Sequence, residues 1–212
     1  MSAGTVAAAT TPRDRLLAAA REVLADDGLE GLTLRAIARR AGVSHGAPLR
    51  HFPTLAALLA ALAADGFARL VATVDGELAT ADAAAAAAGT TLDPRRRLAI
   101  AGRGYLRFAR EDPGVFSVTF RPERVDMTDG RYQEEGFRSF QQLVDLVEAA
   151  QRAGWQPDVP TRDLAAVMWA NIHGLATLGL HGALGAVAGD DALPRLSALS
   201  SMLTLGPQGD PR

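Results

Sequence analysis

Apolar residues recur at helical spacing along nearly the whole chain, and no stretch has the alternation of apolar and polar residues that is typical of a strand. This periodicity restricts the expected fold to an all-α protein. The first apolar stripe predicts a helix from about Pro12 to Asp27, which Gly28 is placed to end. The apolar face of this helix is formed by Leu16, Leu17, Ala20, Val23 and Leu24.

Capping residues and helix breakers divide the rest of the chain into further helices. Thr33 is a suitable N-cap for a short second helix, which Gly42 ends. Ser44 can cap a third short helix that continues to about Phe52. A long Ala run indicates a fraying helix end and a loop between Ala79 and Thr91. The remaining expected helices begin at Pro53-Thr54 and then cover about Pro94 to Glu111, Phe116 to Phe120, Tyr132 to Ala153, Thr161 to Leu184 and Asp190 to Leu205, with a loop from Pro122 to Gly130.

The composition excludes several kinds of protein and site. The chain has no Cys, which excludes disulfides, thiolate zinc sites and a cysteine nucleophile. No apolar run is judged long enough to span a membrane, and Met1 to Thr11 lacks the basic start and leucine-rich centre of a signal peptide. We therefore expect a soluble cytoplasmic protein with a disordered arm over residues 1–11 and a disordered tail over residues 206–212.

The stretch from Leu32 to Phe52 has the spacing of two short helices that cross steeply. Ala38 lies four residues before Gly42, and Val43 follows directly. Crossing helices need a small side chain at their contact, which Ala38 supplies. The tight turn needs a residue that tolerates positive φ, which Gly42 supplies. The spacing therefore predicts a helix-turn-helix whose second helix can lie in the major groove of DNA.

The charge pattern of the same stretch favours a polyanionic partner. The formal net charge of the chain is −2, so any contact with nucleic acid has to come from a local patch. No Asp or Glu occurs between Gly31 and Ala64. The alternative is a packed helical hairpin with a solvated Arg face, but charge and spacing together favour DNA binding that weakens with salt. The basic side chains of this window are Arg35, Arg39, Arg40, His45, Arg50 and His51.

The residues Thr33-Leu-Arg-x-Ile-Ala-x-x-Ala-Gly-Val-Ser44, followed by Arg50-His-Phe52, closely resemble the DNA-binding domain of TetR-family regulators. The resemblance covers about Pro12 to Val71. It implies that the first half of the recognition helix contacts bases, while Thr33 and Arg35 contact the DNA backbone. The implied recognition surface consists of Ser44, His45, Gly46, Ala47, Leu49, Arg50 and His51.

Some residues of this domain depart from the family pattern. Leu49 stands where the family usually has Tyr, so an aromatic contact to the sugar-phosphate backbone is missing. Leu55 stands where the family usually has Lys, which removes a phosphate contact at the fourth helix. Pro48 lies near the first turn of the expected recognition helix, where its missing N–H is only partly tolerated.

The last two expected helices have the features of a dimer interface. The helix that begins at Thr161 is apolar on two faces, which predicts burial on both sides. Small residues between Ala166 and Gly182 allow a neighbouring backbone to come close. Pairing these two helices with their symmetry mates gives a four-helix interface, whereas the alternative is a core helix in a monomer. The final helix repeats Leu193, Leu196, Leu199 and Leu203 at helical spacing.

A second and shorter resemblance concerns a ligand site. Trp169 with His173-Gly174 is similar to the C-terminal domain of one TetR subgroup, which implies that Trp169 and His173 lie near a ligand cavity. The alternative is an ordinary aromatic core. His173 and His181 lack flanking carboxylates at ligand spacing, so we expect neither a metal site nor a cofactor. The other candidate cavity residues are Tyr105, Phe108, Phe116 and Phe120.

Taken together, these features predict a one-component transcriptional regulator. We expect a helix-turn-helix domain over residues 12–72 and a larger helical domain for ligand binding and dimerisation over residues 73–205. The expected partners are a pseudo-palindromic operator in double-stranded DNA, a second copy of the chain, and a small-molecule effector that relieves repression. An enzyme is one alternative, but the sequence has no Gly-rich phosphate loop, nucleophile elbow or paired-carboxylate motif. A helical module that binds only protein is the other, and it predicts no salt-dependent affinity for DNA.

Overall fold

The computed structural model describes residues 11–206, and the regular secondary structure of these residues is entirely helical. The expected all-α fold is therefore confirmed. Of the residues expected to be disordered, 1–10 and 207–212 lie outside the described residues, whereas Thr11 caps the first helix and Gly206 ends the last one. The helices are α1 (Pro12–Asp27), α2 (Leu34–Arg40), α3 (Leu55–Ala87), α4 (Pro94–Glu111), α5 (Pro113–Thr119), α6 (Gly130–Arg152), α7 (Thr161–Leu180), α8 (Ala183–Ala188) and α9 (Ala192–Leu205), with a 3₁₀ helix over Pro48–Arg50.

The described residues form two compact units. The first unit contains residues 11–64 and 114–132, and the second contains residues 65–113 and 133–206. Residues 114–132 thus group with the N-terminal helices, although a domain boundary at residue 72 would place them in the larger domain. Two close approaches within the first unit account for this grouping. A Cβ atom at Gly114 would lie 2.7 Å from Leu24 Cγ, and Asp126 N donates a hydrogen bond to Ala56 O at 3.1 Å.

Helix α1 begins with a capping box. Thr11 Oγ1 accepts a hydrogen bond from Asp14 N, and the Asp14 carboxylate accepts one from Thr11 N, each at 3.1 Å. These bonds satisfy N–H groups that the first turn of a helix leaves unpaired. At the other end, Gly28 ends the helix with φ +66°. The apolar stripe predicted for this helix is buried in the first unit.

Helix α4 is the central helix of the second unit, where it packs against both α7 and α9. Its apolar side, which includes Leu98, Ile100 and Phe108, is almost completely buried. Burying each such side chain stabilises the fold by about 1.5–3 kcal/mol. Helix α3 approaches at Gly104, where a Cβ atom would lie only 3.1 Å from Val74 Cα. This close contact explains why the apolar face of α4 is interrupted by a glycine.

Helix α3 extends into the Ala-rich segment. The Ala-rich segment continues as helix to Ala87, so the helix end and loop expected between Ala79 and Thr91 are found only in the last part of that range. Ala has the highest intrinsic helix propensity, and this is sufficient to extend the helix without a packing partner for each residue. An ion pair between Asp82 and Arg97 Nη1 fastens this part of α3 to α4.

Further helix boundaries differ from the predicted ones. Helix α5 begins at Pro113 rather than at Phe116, because proline is tolerated in the first turn of a helix. Helix α7 ends at Leu180 rather than at Leu184, and the short helix α8 follows it. The interruption coincides with Gly182, whose φ of +74° is the left-handed conformation that breaks a right-handed helix. Helix α9 begins at Ala192 rather than at Asp190, because Gly189 and the two Asp residues form the turn that precedes it.

Helix α3 is the only helix of the described residues that is long and apolar enough to cross a membrane by length and composition, although we expected no such segment. Its most apolar window has a mean hydropathy of 1.8. Of that window, 61% is buried inside the protein, as in the core helix of a globular domain. Burial in the core therefore accounts for the apolar composition of α3.

Candidate nucleic-acid interface

The turn after α2 is held by backbone hydrogen bonds. Val43 N donates to Ala38 O at 3.0 Å, and Gly42 N donates to Arg39 O at 3.2 Å. Gly42 has φ +66°, the left-handed conformation that this helix-ending motif requires. Ile37 and Ala38 are completely buried beside the turn. The positive φ predicted at Gly42 and the burial predicted at Ala38 are therefore both present.

The recognition segment, residues 44–52, is not the continuous α-helix that its sequence predicts. It is a turn followed by the 3₁₀ helix, and Ala47 N donates to Ser44 O at 2.9 Å, a spacing of three residues. Pro48 accounts for the difference, because it has no N–H to donate to the Ser44 carbonyl as an α-helical residue would. His51 and Phe52 both donate to Pro48 O, at 3.0 and 2.8 Å, which closes the segment.

The recognition segment is buried on one side and accessible on the other. Pro48 and Phe52 are buried, and the guanidinium of Arg13 lies over the Phe52 ring with its Cζ 5.2 Å from the ring centroid. Leu49 is apolar but 54% exposed. The side chains predicted to contact bases therefore remain accessible in this irregular segment. The exposed residues of the segment are Ser44, His45, Gly46, Leu49, Arg50 and His51, and Ala47 is half-buried.

The arginines of the acid-free window are not equivalent. Arg40 Nη1 pairs with Asp26 Oδ2 at 2.8 Å and with Glu22 Oε2 at 3.4 Å, both on α1. The hydrogen bond to Asp26 is the main cause that raises the pKa of the Arg40 guanidinium. Arg40 is thus already paired within the protein. Because the two carboxylates compensate its charge, we expect Arg40 to bind a phosphate more weakly than an unpaired arginine would. The arginines of the window that have no carboxylate partner within residues 11–206 are Arg35, Arg39 and Arg50.

Thr33 caps α2 and remains exposed. Its Oγ1 accepts a hydrogen bond from Ala36 N at 3.1 Å, which confirms the predicted N-cap. That bond uses the oxygen and leaves the hydroxyl proton free, so Thr33 can still donate to a phosphate oxygen. Arg35 is exposed two residues further along the same helix. The start of α2 therefore presents both residues that the family resemblance places on the DNA backbone.

The sequence does not distinguish Arg39 from Arg40, although only Arg40 is paired. Glu22 and Asp26 lie one turn apart on α1, and this spacing is the signal that a cation will bind between them. Which arginine reaches them depends on how α1 and α2 cross. Arg39 is the residue that the family resemblance leaves without a role, and its exposure adds it to the candidate phosphate contacts.

In the second unit, a hydrogen-bonded cluster joins α4 to α7. The Tyr105 hydroxyl and His173 Nδ1 are 2.8 Å apart, and His173 Nε2 is 3.4 Å from Thr177 Oγ1. Burial raises the pKa of Tyr105, with a smaller opposing effect from a hydrogen bond with Trp169, and burial lowers the pKa of His173. An indole N–H can only donate, so the Tyr105 oxygen is the acceptor in the bond with Trp169, whereas the direction of its bond with His173 is set by the His173 tautomer. Both titratable members of the cluster are therefore uncharged near neutral pH.

The structure brings only part of the predicted ligand pocket together. The ring centroids of Trp169 and His173 are 5.8 Å apart, and those of Tyr105 and His173 are 6.3 Å apart. Phe116 and Phe120 belong instead to the first unit, where their ring centroids are 5.1 Å apart. Within residues 11–206, no group of three or more His, Cys, Asp or Glu side chains could hold a metal ion. The predicted pocket residues that fall in the second unit are Tyr105, Phe108, Trp169 and His173.

Two family models match this chain. Residues 16–62 match the model for bacterial regulatory proteins of the tetR family. Residues 98–198 match the model for the tetracyclin repressor-like C-terminal domain. The two matches together cover more than half of the chain, and the first contains the whole turn and recognition segment described above.

Several solved structures are similar to this chain over nearly its whole length. A protein of unknown function from Rhodococcus sp. RHA1 is 32% identical, with a TM-score of 0.71, and the match covers 90% of this chain and 94% of that one. A transcriptional regulator from the same organism is 26% identical, with a TM-score of 0.59 and coverage of 95% and 100%. The TetR family transcriptional regulator PfmR from Thermus thermophilus is 16% identical, with a TM-score of 0.62 and coverage of 95% and 100%, and shares the fold. No curated protein sequence gives a significant match.

Proposed function

The chain belongs to the TetR family of transcriptional regulators, and on that premise we propose that it is a cytoplasmic repressor that binds its operator as a homodimer and is released by a small-molecule effector. Members of this family are DNA-binding regulators rather than enzymes. We assign DNA contact to the helix-turn-helix region, residues 12–72. We assign dimerisation and effector binding to residues 73–205.

The observation that carries the proposal is a set of exposed arginines on α2 and the recognition segment that have no carboxylate partner within residues 11–206. These arginines can bind phosphate or guanine with two parallel hydrogen bonds, and Arg50 is the one that lies in the recognition segment itself. We assign phosphate contacts to Thr33, Arg35 and Arg39. The exposed Leu49 can contact a thymine methyl group, the one apolar feature of the major groove. The proposed base-contacting residues are Ser44, His45, Gly46, Ala47, Leu49, Arg50 and His51.

An exposed apolar stripe on α7 and α9 supports the proposed homodimer. Val167 on α7 is 63% exposed, and on α9 Leu203, one turn after the exposed Leu199, is 75% exposed. Ser200 Oγ donates a hydrogen bond to Asn171 Oδ1 at 2.6 Å and thereby fastens the two helices together. Large apolar side chains exposed on neighbouring helices mark an interaction surface. We propose that a second copy of the chain binds to this surface, because two inverted half-sites in DNA are bound by two symmetry-related DNA-binding domains.

The effector site is proposed at the Tyr105–Trp169–His173 cluster. Aromatic faces beside a small number of oriented polar groups are typical of pockets for small organic molecules. Phe108 lies in the same unit and supplies buried apolar surface on α4. The effector has to bind the released conformation of the dimer more tightly than the DNA-bound one, since only a difference in affinity shifts the population.

Selection of bound duplexes from a random DNA pool tests the DNA-binding part of the proposal. We expect enrichment of one motif with two inverted half-sites whose centres lie about one helical turn, or roughly 34 Å, apart. The logarithm of the binding constant should fall linearly with the logarithm of the salt concentration. A protein that enriches no motif and ignores duplex DNA in dilute buffer would contradict the assignment.

Transcription in vitro from a promoter that carries the selected motif tests the sign of regulation. Addition of the protein is expected to lower transcript yield in proportion to operator occupancy. A rise in transcript yield would identify an activator instead. The matched control is the same promoter with both half-sites scrambled, on which the protein is expected to have no effect.

A further inference from the structure

A groove runs between α4 and α9 in the second unit. Its volume is about 500 Å³, within the range of roughly 300–1,000 Å³ found for small-molecule sites. The floor is apolar and includes Leu106, Leu193 and Met202. The side chains of the Tyr105–Trp169–His173 cluster do not line it, so it is separate from the proposed effector site.

The wall that α4 contributes to the groove is strongly basic. Arg103, Arg107 and Arg110 lie on one side of this helix, because residues four and seven positions apart share a helical face. Arg107 is already paired with Glu111 Oε1 at 2.7 Å and with Glu77 Oε1 at 2.8 Å. Neither Arg103 nor Arg110 has a carboxylate partner in the part of the chain that the structure describes. The groove therefore combines an apolar floor with two guanidinium groups, Arg103 and Arg110, that form no ion pair within residues 11–206.

The charge of the groove is unequal along its length. An adjoining hollow of about 290 Å³ is lined by Arg110 and also by Asp190 and Asp191. These carboxylates come from the turn before α9 and disfavour an anion at the Arg110 end. The same hollow joins Leu106, Ala109 and Arg110 of α4 to the start of α9, so residues earlier in α4 lie along the later part of α9. Arg103 lines the groove together with Ser201, which lies near the end of α9 and whose hydroxyl is a second hydrogen-bond donor.

The groove lies on a different face of α9 from the proposed dimer interface. With about 100° between successive residues, Ser197 and Ser201 point to one side of the helix. Leu199 and Leu203 point to the opposite side. Dimerisation through the leucine face therefore leaves the groove open to a ligand.

We propose that this groove binds an amphipathic anion, with its acidic head group at Arg103 and Ser201 and its apolar chain along Leu106 and Leu193. The guanidinium supplies charge-assisted hydrogen bonds to a carboxylate or phosphate. The floor removes the chain from water. This inference goes beyond the proposed function, because it concerns ligand chemistry and holds whether or not the ligand alters DNA affinity.

Calorimetric titration of the full-length protein with dodecanoate, below its micellar concentration and without DNA, tests the proposal. We expect saturable binding of one dodecanoate per chain. Arg103→Gln is expected to weaken it roughly tenfold, and Arg110→Gln by a smaller factor. Arg152→Gln is the matched control, since it removes the same charge from the exposed surface of α6 and should leave the affinity unchanged. Dodecanol, which lacks the acidic group, should bind the wild type more weakly and be insensitive to Arg103→Gln.

A second variant separates the groove from other apolar surfaces. Ala198→Phe fills the groove from α9, where Ala198 is exposed, and it should abolish dodecanoate binding while the melting temperature stays close to that of the wild type. Tyr105→Phe should leave the dodecanoate affinity unchanged. Absence of saturable binding, equal losses in Arg103→Gln and Arg152→Gln, or a loss in Tyr105→Phe with none in Ala198→Phe would each overturn the proposal.

Discussion

The recognition region of the first unit and the hydrogen-bonded cluster of the second unit are built over different distances along the chain. In the recognition region the decisive bonds join near neighbours, such as Val43 N to Ala38 O. In the cluster, Tyr105 and His173 meet from positions 68 residues apart. A local motif specifies its own shape, whereas the cluster exists only when two long helices pack in the correct register. The first unit is therefore expected to respond to backbone changes, and the second to changes in packing and assembly.

The largest effect is expected at the apolar stripe, where a substitution changes the dimer dissociation constant rather than the folding of the subunit. Leu203→Glu places an unpaired charge in the proposed interface and should weaken dimerisation roughly 100-fold, or about 3 kcal/mol. Sedimentation equilibrium measures the dimer constant. Phe137→Glu is the matched control, because Phe137 on α6 is also an exposed apolar residue, at 61%, and should leave the dimer intact. A Leu203→Glu protein that remains fully dimeric would remove α9 from the interface.

The next largest effect is expected from a substitution that strains the backbone of the recognition region. Gly42→Val forces a β-branched residue into φ +66° and should cost about 1–3 kcal/mol of unfolding free energy. A Cβ atom there meets nothing within 4 Å, so the cost is conformational and not steric. Gly76→Ala in α3 is the control, since its Cβ also meets nothing within 4 Å but its φ is helical, and it should stabilise by up to about 1 kcal/mol. Urea unfolding of both variants measures the contrast, and equal effects would contradict it.

Charge at the DNA surface should have a smaller effect. Arg50→Ala is expected to weaken binding to the selected operator roughly tenfold, because it removes an exposed and unpaired guanidinium. Arg40→Ala should cost less than about threefold and leave the salt dependence unchanged, since Arg40 is already paired with Glu22 and Asp26. Fluorescence anisotropy at several salt concentrations measures both. If Arg40→Ala weakened binding as much as Arg50→Ala, the distinction between paired and free arginines would fail.

The smallest effect is a pH dependence that belongs to the second unit. Burial lowers the pKa of His173 below its ordinary value of 6.5, so below pH 6.5 the unfolded chain binds more protons than the folded one. The contribution of the neutral His173 side chain to the free energy of unfolding is fully present above pH 6.5 and is lost as the pH falls towards the pKa of His173 in the folded protein. His173→Gln should flatten the fall in melting temperature between about pH 7 and about pH 5. An unchanged pH profile would show that burial of His173 does not contribute to it.

The parts of the fold that depend on local chemistry could be predicted from the sequence. The N-cap at Thr33 and the left-handed turn at Gly42 follow from residue type and spacing alone. The prediction for the recognition segment is wrong because the capping signal of Ser44 favours a helix, whereas the missing N–H of Pro48 prevents a regular one. The sequence predicts the end of α3 only to within the range from Ala79 to Thr91, because a run of Ala has a strong propensity for helix but no apolar pattern that marks where the helix stops.

The parts that depend on long-range packing could not be predicted. Residues on α4 and α5 are close in sequence, yet Tyr105 belongs to the second unit and Phe116 to the first. Likewise, the pairing of Arg40 with α1 depends on a crossing angle that residue spacing does not specify. The groove between α4 and α9 has a sequence signal in the spacing of Arg103 and Arg110. That signal becomes informative only once the opposite wall of the groove is known.

The alanine-rich end of α3 gives the molecule a permissive site for engineering. Residues 86–90 are exposed, and the helix there is held by propensity rather than by buried contacts. Amide hydrogens in this segment should exchange with solvent far faster than those in the apolar first half of the same helix. A fluorescent tag or a small reporter domain inserted after Gly89 should therefore be tolerated. Such an insertion would allow ligand responses to be followed without altering the DNA surface, the apolar stripe or the basic groove.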